Sequence, residues 1–116
     1  MIRLWKALIN SINGLNWALR YEEAVQQEVV ALAIGLPASF FVAPNLPWWI
    51  ALVGSLLMLM VVELLNTAVE KLSDHVTPTH SQAIKVVKDL GSAAVLLTLI
   101  VGFLIWGGAI AVRWFL

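Results

Sequence analysis

Two long stretches of this chain carry no ionisable side chain: nothing charged lies between Glu28 and Glu63, or between Asp89 and Arg113. A membrane-spanning helix needs about 20 mostly apolar residues. Leu90–Val112 satisfies that as one span. The earlier run is too long for a single crossing and is punctuated by "APNLPWW", with Pro44, Asn45 and Pro47. It reads as a tight hairpin joining two spans, about 28–43 and 47–72, with a third at about 90–113. Pro37 falls inside the first of these and marks a possible kink there. Composition agrees: 61% of residues are hydrophobic and only 12% charged, against about 45–50% and 25% in soluble domains. The expected fold class is therefore an all-α integral membrane protein, with residues 1–116 forming one domain.

The remaining charges orient it. Arg3, Lys6 and Arg20 precede the first span, and Lys71, Lys85 and Lys88 lie between the second and third. The Pro44–Pro47 turn has none, so the N-terminus and the 71–88 connection are expected in the cytoplasm. Trp48, Trp49, Trp106 and Trp114 suit interfacial anchors on the outer side. Residues 1–21 place Leu4, Trp5, Leu8, Ile9, Ile12, Leu15 and Leu19 on one helical face and Arg3, Lys6, Asn10, Asn13 and Arg20 on the other. That pattern predicts an amphipathic helix on the cytoplasmic leaflet, with Trp17 violating it. A zero net charge offers no basic field for nucleic acid. With no cysteine there is no disulfide framework and no thiolate metal site.

The polar residues of "VVELLNTAVEKLSD" are the informative ones. Glu63, Asn66, Glu70 and Asp74 stand at i, i+3, i+7 and i+11, so a helix puts all four on one stripe. A polar stripe inside a membrane faces protein or water, not lipid. Glu63 lies deepest, where a carboxylate costs about 2.5–3.5 kcal/mol on insertion scales. A carboxylate held there suits general-base work on a hydroxyl near the membrane surface. Glu70 and Asp74 emerge toward the interface, and oxygen-only donors favour a hard ion such as Mg2+. A solvated helix end with inter-helix hydrogen bonds is the plainer alternative for Asn66 and Asp74.

Other polar groups are less specific. Glu22, Gln26 and Glu28 in "YEEAVQQE" could complete an acidic cluster or simply mark where a helix leaves the interface. Lys88 and Asp89 open the third span at "KVVKDLGSAAVLL", where Lys88 could meet a phosphate or snorkel. Gly91, Ser92, Ala93 and Ala94 permit close helix packing. His75 and His80 read as solvated loop residues. The phosphate-loop, GxGxxG and HRD-type signatures of soluble kinases are missing from the sequence.

"VVELLNTAVEKLSD", followed after a short loop by "KVVKDLGSAAVLL", closely resembles the small bacterial diacylglycerol kinase family of integral membrane enzymes. The match runs over nearly the whole chain, from surface helix through "EEAVQQE" to three spans in order. The resemblance implies a homotrimer with shared active sites in the bacterial inner membrane. It also implies ATP as co-substrate, Mg2+, and phosphorylation of diacylglycerol to phosphatidic acid. By the same resemblance Glu63 is the catalytic base, with Asn66 and Asp89 beside it, and Glu22 and Glu70 hold the metal near the phosphates. Nucleotide contacts are implied for Arg3, Asn10, Asp74, Thr79, His80, Ser81, Lys88 and Asp89, besides Glu22 and Glu70. Lipid contacts are implied for Arg3, Trp49, Glu63 and Ser92. Two positions depart from the family pattern: Asn13 and Gln26 stand where a basic residue is common.

Other readings remain at this point. Related Gram-positive proteins with similar motifs phosphorylate undecaprenol. A small proton-coupled multidrug transporter also uses one intramembrane Glu, although such proteins have four spans with the acid in the first. A structural subunit without chemistry leaves Glu63 unexplained.

Overall fold

The computed structural model describes residues 1–77, 79 and 81–116, so His80 lies outside the described residues. Its four helices run α1 Ile2–Tyr21, α2 Glu23–Val42, α3 Leu46–Val76 and α4 Gln82–Trp114. The last three are each long and apolar enough to cross a membrane. At 1.5 Å per residue, α2 is about 30 Å long, matching a hydrocarbon core, whereas α3 and α4 reach about 46–50 Å. They run beyond the spans read from hydropathy, α3 to Val76 and α4 from Gln82. The extra turns are polar and charged, and a helix need not end where the lipid does. His75 accordingly sits in the last turn of α3, not in a loop.

Local signals set the helix ends. The α2–α3 connection is only residues 43–45, and the Asn45 side chain accepts from Trp48 N–H at 3.2 Å while Pro47 occupies the first turn. Ser81 caps α4 in the same way, accepting from Ile84 N–H at 3.4 Å. Helix α2 runs unbroken through Pro37. Between α1 and α2 a single residue, Glu22, is extended, with φ −112° and ψ 112°. Gln26, one of the two departures from the family pattern, donates its amide to Leu19 O at 2.9 Å and so satisfies a terminal carbonyl of α1.

Helix α3 is central, packed chiefly on α4 and then on α2, while α1 lies mainly against α2. Little apolar surface is buried within the chain: Ala18, Val25, Leu52 and Ala109 are its buried hydrophobic residues, against a long run of exposed Leu, Ile, Val and Phe side chains. Apolar surface on that scale is what a lipid solvent or partner helices would cover. Hydroxyls in the spans bond back to their own helices, Ser39 to Leu36 O at 2.6 Å and Thr98 to Ala94 O at 2.8 Å. One end of the bundle gathers aromatic rings, Phe40 with Trp49 and Phe41 with Trp114. Trp106 is different from the interfacial anchor expected of it. Two turns inside the end of α4, it donates its indole N–H to Ser55 Oγ on α3 at 3.0 Å.

Candidate active site

The end opposite the aromatic rings holds all the acidic residues of α3 and α4. On α3, Glu63 is buried at 8% exposure, Asn66 and Glu70 are half-buried and Asp74 is exposed. The stripe thus descends from solvent into the bundle. Asn66 Nδ2 donates to Glu70 Oε1 at 3.3 Å, fixing the two polar ends relative to each other. Asp74 accepts from Lys88 of α4 at 2.6 Å, and Lys85 donates to Asp89 at 2.7 Å. Together with Thr77, Thr79 and Ser81 these residues line a polar cleft where α3 hands over to α4.

Glu63 lies within electrostatic reach of Glu70 and Glu22, and Glu28 within reach of Glu63. Four carboxylates from α2, α3 and the Glu22 hinge therefore share one neighbourhood. Glu28, which the sequence offers either as part of an acidic cluster or as a mark of where a helix leaves the interface, has its Oε2 buried without a hydrogen-bond partner among the described residues, as is Asn66 Oδ1. Its signal was present: Val25, Glu28, Gly35 and Ser39 stand at i, i+3, i+10 and i+14, one stripe of α2, and all but the half-buried Glu28 are buried. Apart from Val25 these residues are small or polar, so a search for apolar periodicity does not single them out.

Gly91 explains how α4 comes this close to the stripe. A Cβ at that position would collide with Asn66 Oδ1. Ser92, Ala93 and Ala94 are instead exposed in the single chain. The obstacle to Gly91→Ala is the tip of a mobile side chain, so the helices need not part. The Asn66 amide must turn, giving up Glu70. We expect Gly91→Ala to keep its thermal stability in detergent while the activity of the site falls roughly tenfold, the cost of about one hydrogen bond to a charged group. Parallel losses of stability and activity would instead mean that Gly91 serves packing alone.

The predicted residues do not all meet. Trp49 is near the far end of α3, about 20 Å along the helix from Glu63 at 1.5 Å per residue. Arg3 and Asn10 are exposed on α1, whose one buried residue is Ala18, near its other end. Arg3 stands about 22 Å along the helix from Ala18 at that rise. Within one chain, therefore, Arg3 remains away from the carboxylates, while Asn10 precedes Ser11, which lines a cavity with Leu64, Thr67 and Lys71 of α3. Oxygen donors suited to a hard cation are present in Glu22, Glu70 and Asn66. Among the described residues, however, no three acidic or histidine side chains converge as a metal-holding group. Such a set fits an ion that brings ligands of its own, as Mg2+ does on nucleotide phosphates.

Three helices long and apolar enough to cross a membrane, with acids gathered at one end, define a multi-pass membrane protein. The profile of the prokaryotic diacylglycerol kinase family matches residues 9–110, and the chain belongs to that family of lipid kinases. It is 34% identical to the diacylglycerol kinase of Haemophilus influenzae over 98 residues, covering 84% of this chain and 83% of that one. Against the diacylglycerol kinase of Escherichia coli K12 the identity is 33% over 104 residues, covering 90% and 85%. Against that of Helicobacter pylori 26695 it is 35% over 105 residues, covering 90% and 82%. Family membership sets aside the transporter and structural-subunit readings.

Proposed function

We propose that the protein transfers the γ-phosphoryl group of ATP to the hydroxyl of diacylglycerol, giving phosphatidic acid and ADP, with Glu63 as general base. The observation that carries this reading is the burial of Glu63 on the stripe that continues outward through the hydrogen-bonded Asn66–Glu70 pair. A lipid hydroxyl at the membrane boundary reaches Glu63 from the apolar side, while a soluble nucleotide reaches Glu70 from water. Glu63 takes the hydroxyl proton as the oxygen bonds to the γ-phosphorus and the bond to the ADP oxygen breaks. Asn66 orients Glu70. Lys88, held by Asp74, and Asp89, held by Lys85, border the polar cleft where the nucleotide would lie. Mg2+ would be held by Glu22 and Glu70, and would supply the positive charge that phosphoryl transfer needs.

The site is shared in a homotrimer on this reading, which the exposure of Arg3 on α1, away from the carboxylates of its own chain, supports. Helix α1 is then an amphipathic helix on the cytoplasmic leaflet of the bacterial inner membrane. The N-terminus and the α3–α4 connection face the cytoplasm, as the distribution of lysine and arginine favours.

The deciding measurement is ATP-dependent phosphorylation in detergent micelles with diacylglycerol and undecaprenol supplied separately. Preferential labelling of diacylglycerol is expected. Preference for undecaprenol would keep the mechanism and replace the substrate, and transfer to neither would sink the reading.

A further inference from the structure

Helix α1 is fastened at one end only. Its single buried residue is Ala18, and its direction relative to α2 is set by one extended residue, Glu22. Two side chains from other helices grip this joint. Gln26 of α2 caps the Leu19 carbonyl. Lys71 of α3 brings its ammonium to 3.1 Å from Glu22 Oε1 and 5.7 Å from the centroid of the Trp17 ring, which in turn meets the Tyr21 ring at a tilt, with centroids 5.4 Å apart. Trp17, the residue that breaks the amphipathic pattern of α1, thereby has a partner. The Lys71 approach to Glu22 lies off the hydrogen-bonding direction, since Oε1 has no hydrogen-bond partner. The attraction is Coulombic and engages one oxygen of the carboxylate.

We propose that Lys71 is a positioning residue: it clasps the last turn of α1 and the Glu22 hinge to α3, holding the Glu22 carboxylate at the level of Glu70. The inference rests on the role of Glu22 as a holder of ATP-bound Mg2+. Lys71 directly follows Glu70 on α3, about 100° round the helix, so it reaches sideways to α1 while Glu70 stays on the acidic stripe. A hinge with one extended residue has soft torsions, and a carboxylate on it has no fixed position unless something outside the hinge holds it. The Glu22 side chain is 16% exposed and that of Lys71 56%. The clasp therefore sits at the water boundary, where one ion pair and one cation–π contact together are worth about fivefold in an equilibrium.

The chain has no cysteine, so spin labels can be placed cleanly. Labels at Asn13→Cys on α1 and Val76→Cys at the end of α3, both exposed sites, would report the distance across the joint by pulsed electron resonance. Excess unlabelled protein confines the reading to pairs within one subunit. Lys71→Met should broaden or shift that distance distribution and raise KM for ATP·Mg2+ about fivefold with kcat nearly unchanged, and Lys71→Arg should restore both. An unchanged distribution, a change that arginine does not reverse, or an unchanged KM overturns the proposal. A lowered KM would do so as well, by making Lys71 a competitor for Glu22. If the unmodified protein transferred no phosphate to lipid, the role assigned to Glu22 would fall, while the distance measurement would still decide whether Lys71 clasps α1 to α3.

Discussion

Glu63→Gln is expected to fold and insert normally yet lose at least about a hundredfold in lipid phosphorylation, the lower end for removal of a general base. The substitution keeps size and shape, so the packing of α3 against α2 and α4 is preserved. It removes one of four carboxylates that share a neighbourhood, with Glu22, Glu28 and Glu70 as the others. Like charges held together destabilise the fold, so the variant should unfold in detergent at the same temperature or a slightly higher one. That opposition of effects is the diagnostic feature: activity collapses while stability holds or rises. KM for ATP·Mg2+ should change little, because the amide does not touch the nucleotide. Activity within a few fold of the unmodified protein would show that the hydroxyl needs no base at this position. A drop accompanied by lower stability would assign Glu63 to packing.

How much of this could be read from the residues alone differs from element to element. Charge-free runs bounded by Glu28, Glu63, Asp89 and Arg113 locate three spans, because each ionisable group inside lipid carries a large penalty. Hydropathy measures the lipid thickness and not the helix, so it stops short of Val76 on α3 and begins late on α4. The stripe from Glu63 to Asp74 is legible because a helix repeats every 3.6 residues and the other side of that stretch is apolar. For Glu28 the same logic leaves two readings open, since Gly35 and Ser39 carry no periodic apolar signal. Lys71 escaped that logic for another reason. Its partners, Trp17 and Glu22, lie about fifty residues earlier, and only the tertiary fold brings a surface helix and a spanning helix together. Arg3 shows the converse: the family resemblance assigns it to the site, while its own chain holds it exposed at the far end of α1.

Glu70→Gln is expected to move the Mg2+ concentration for half-maximal activity upward by at least about tenfold and to lower activity by about a hundredfold at a fixed limiting Mg2+ level. Glutamine still offers an oxygen to the Asn66 amide, so the 3.3 Å contact that orients residue 70 can persist. What is lost is the negative charge that a hard cation requires. Excess Mg2+ should therefore recover part of the activity, which it would not do for Glu63→Gln. Glu22→Gln should behave in the same way if both carboxylates hold one ion, and the double variant should then be less impaired than the product of the two single effects. Additive losses would mean that the two acids act independently, and an unchanged Mg2+ dependence would remove Glu70 from the metal altogether. The comparison also separates hinge from ligand. A Glu22 defect repaired by Mg2+ is a defect of binding, whereas one that persists at saturating Mg2+ reports a surface helix that has lost its hold on α3.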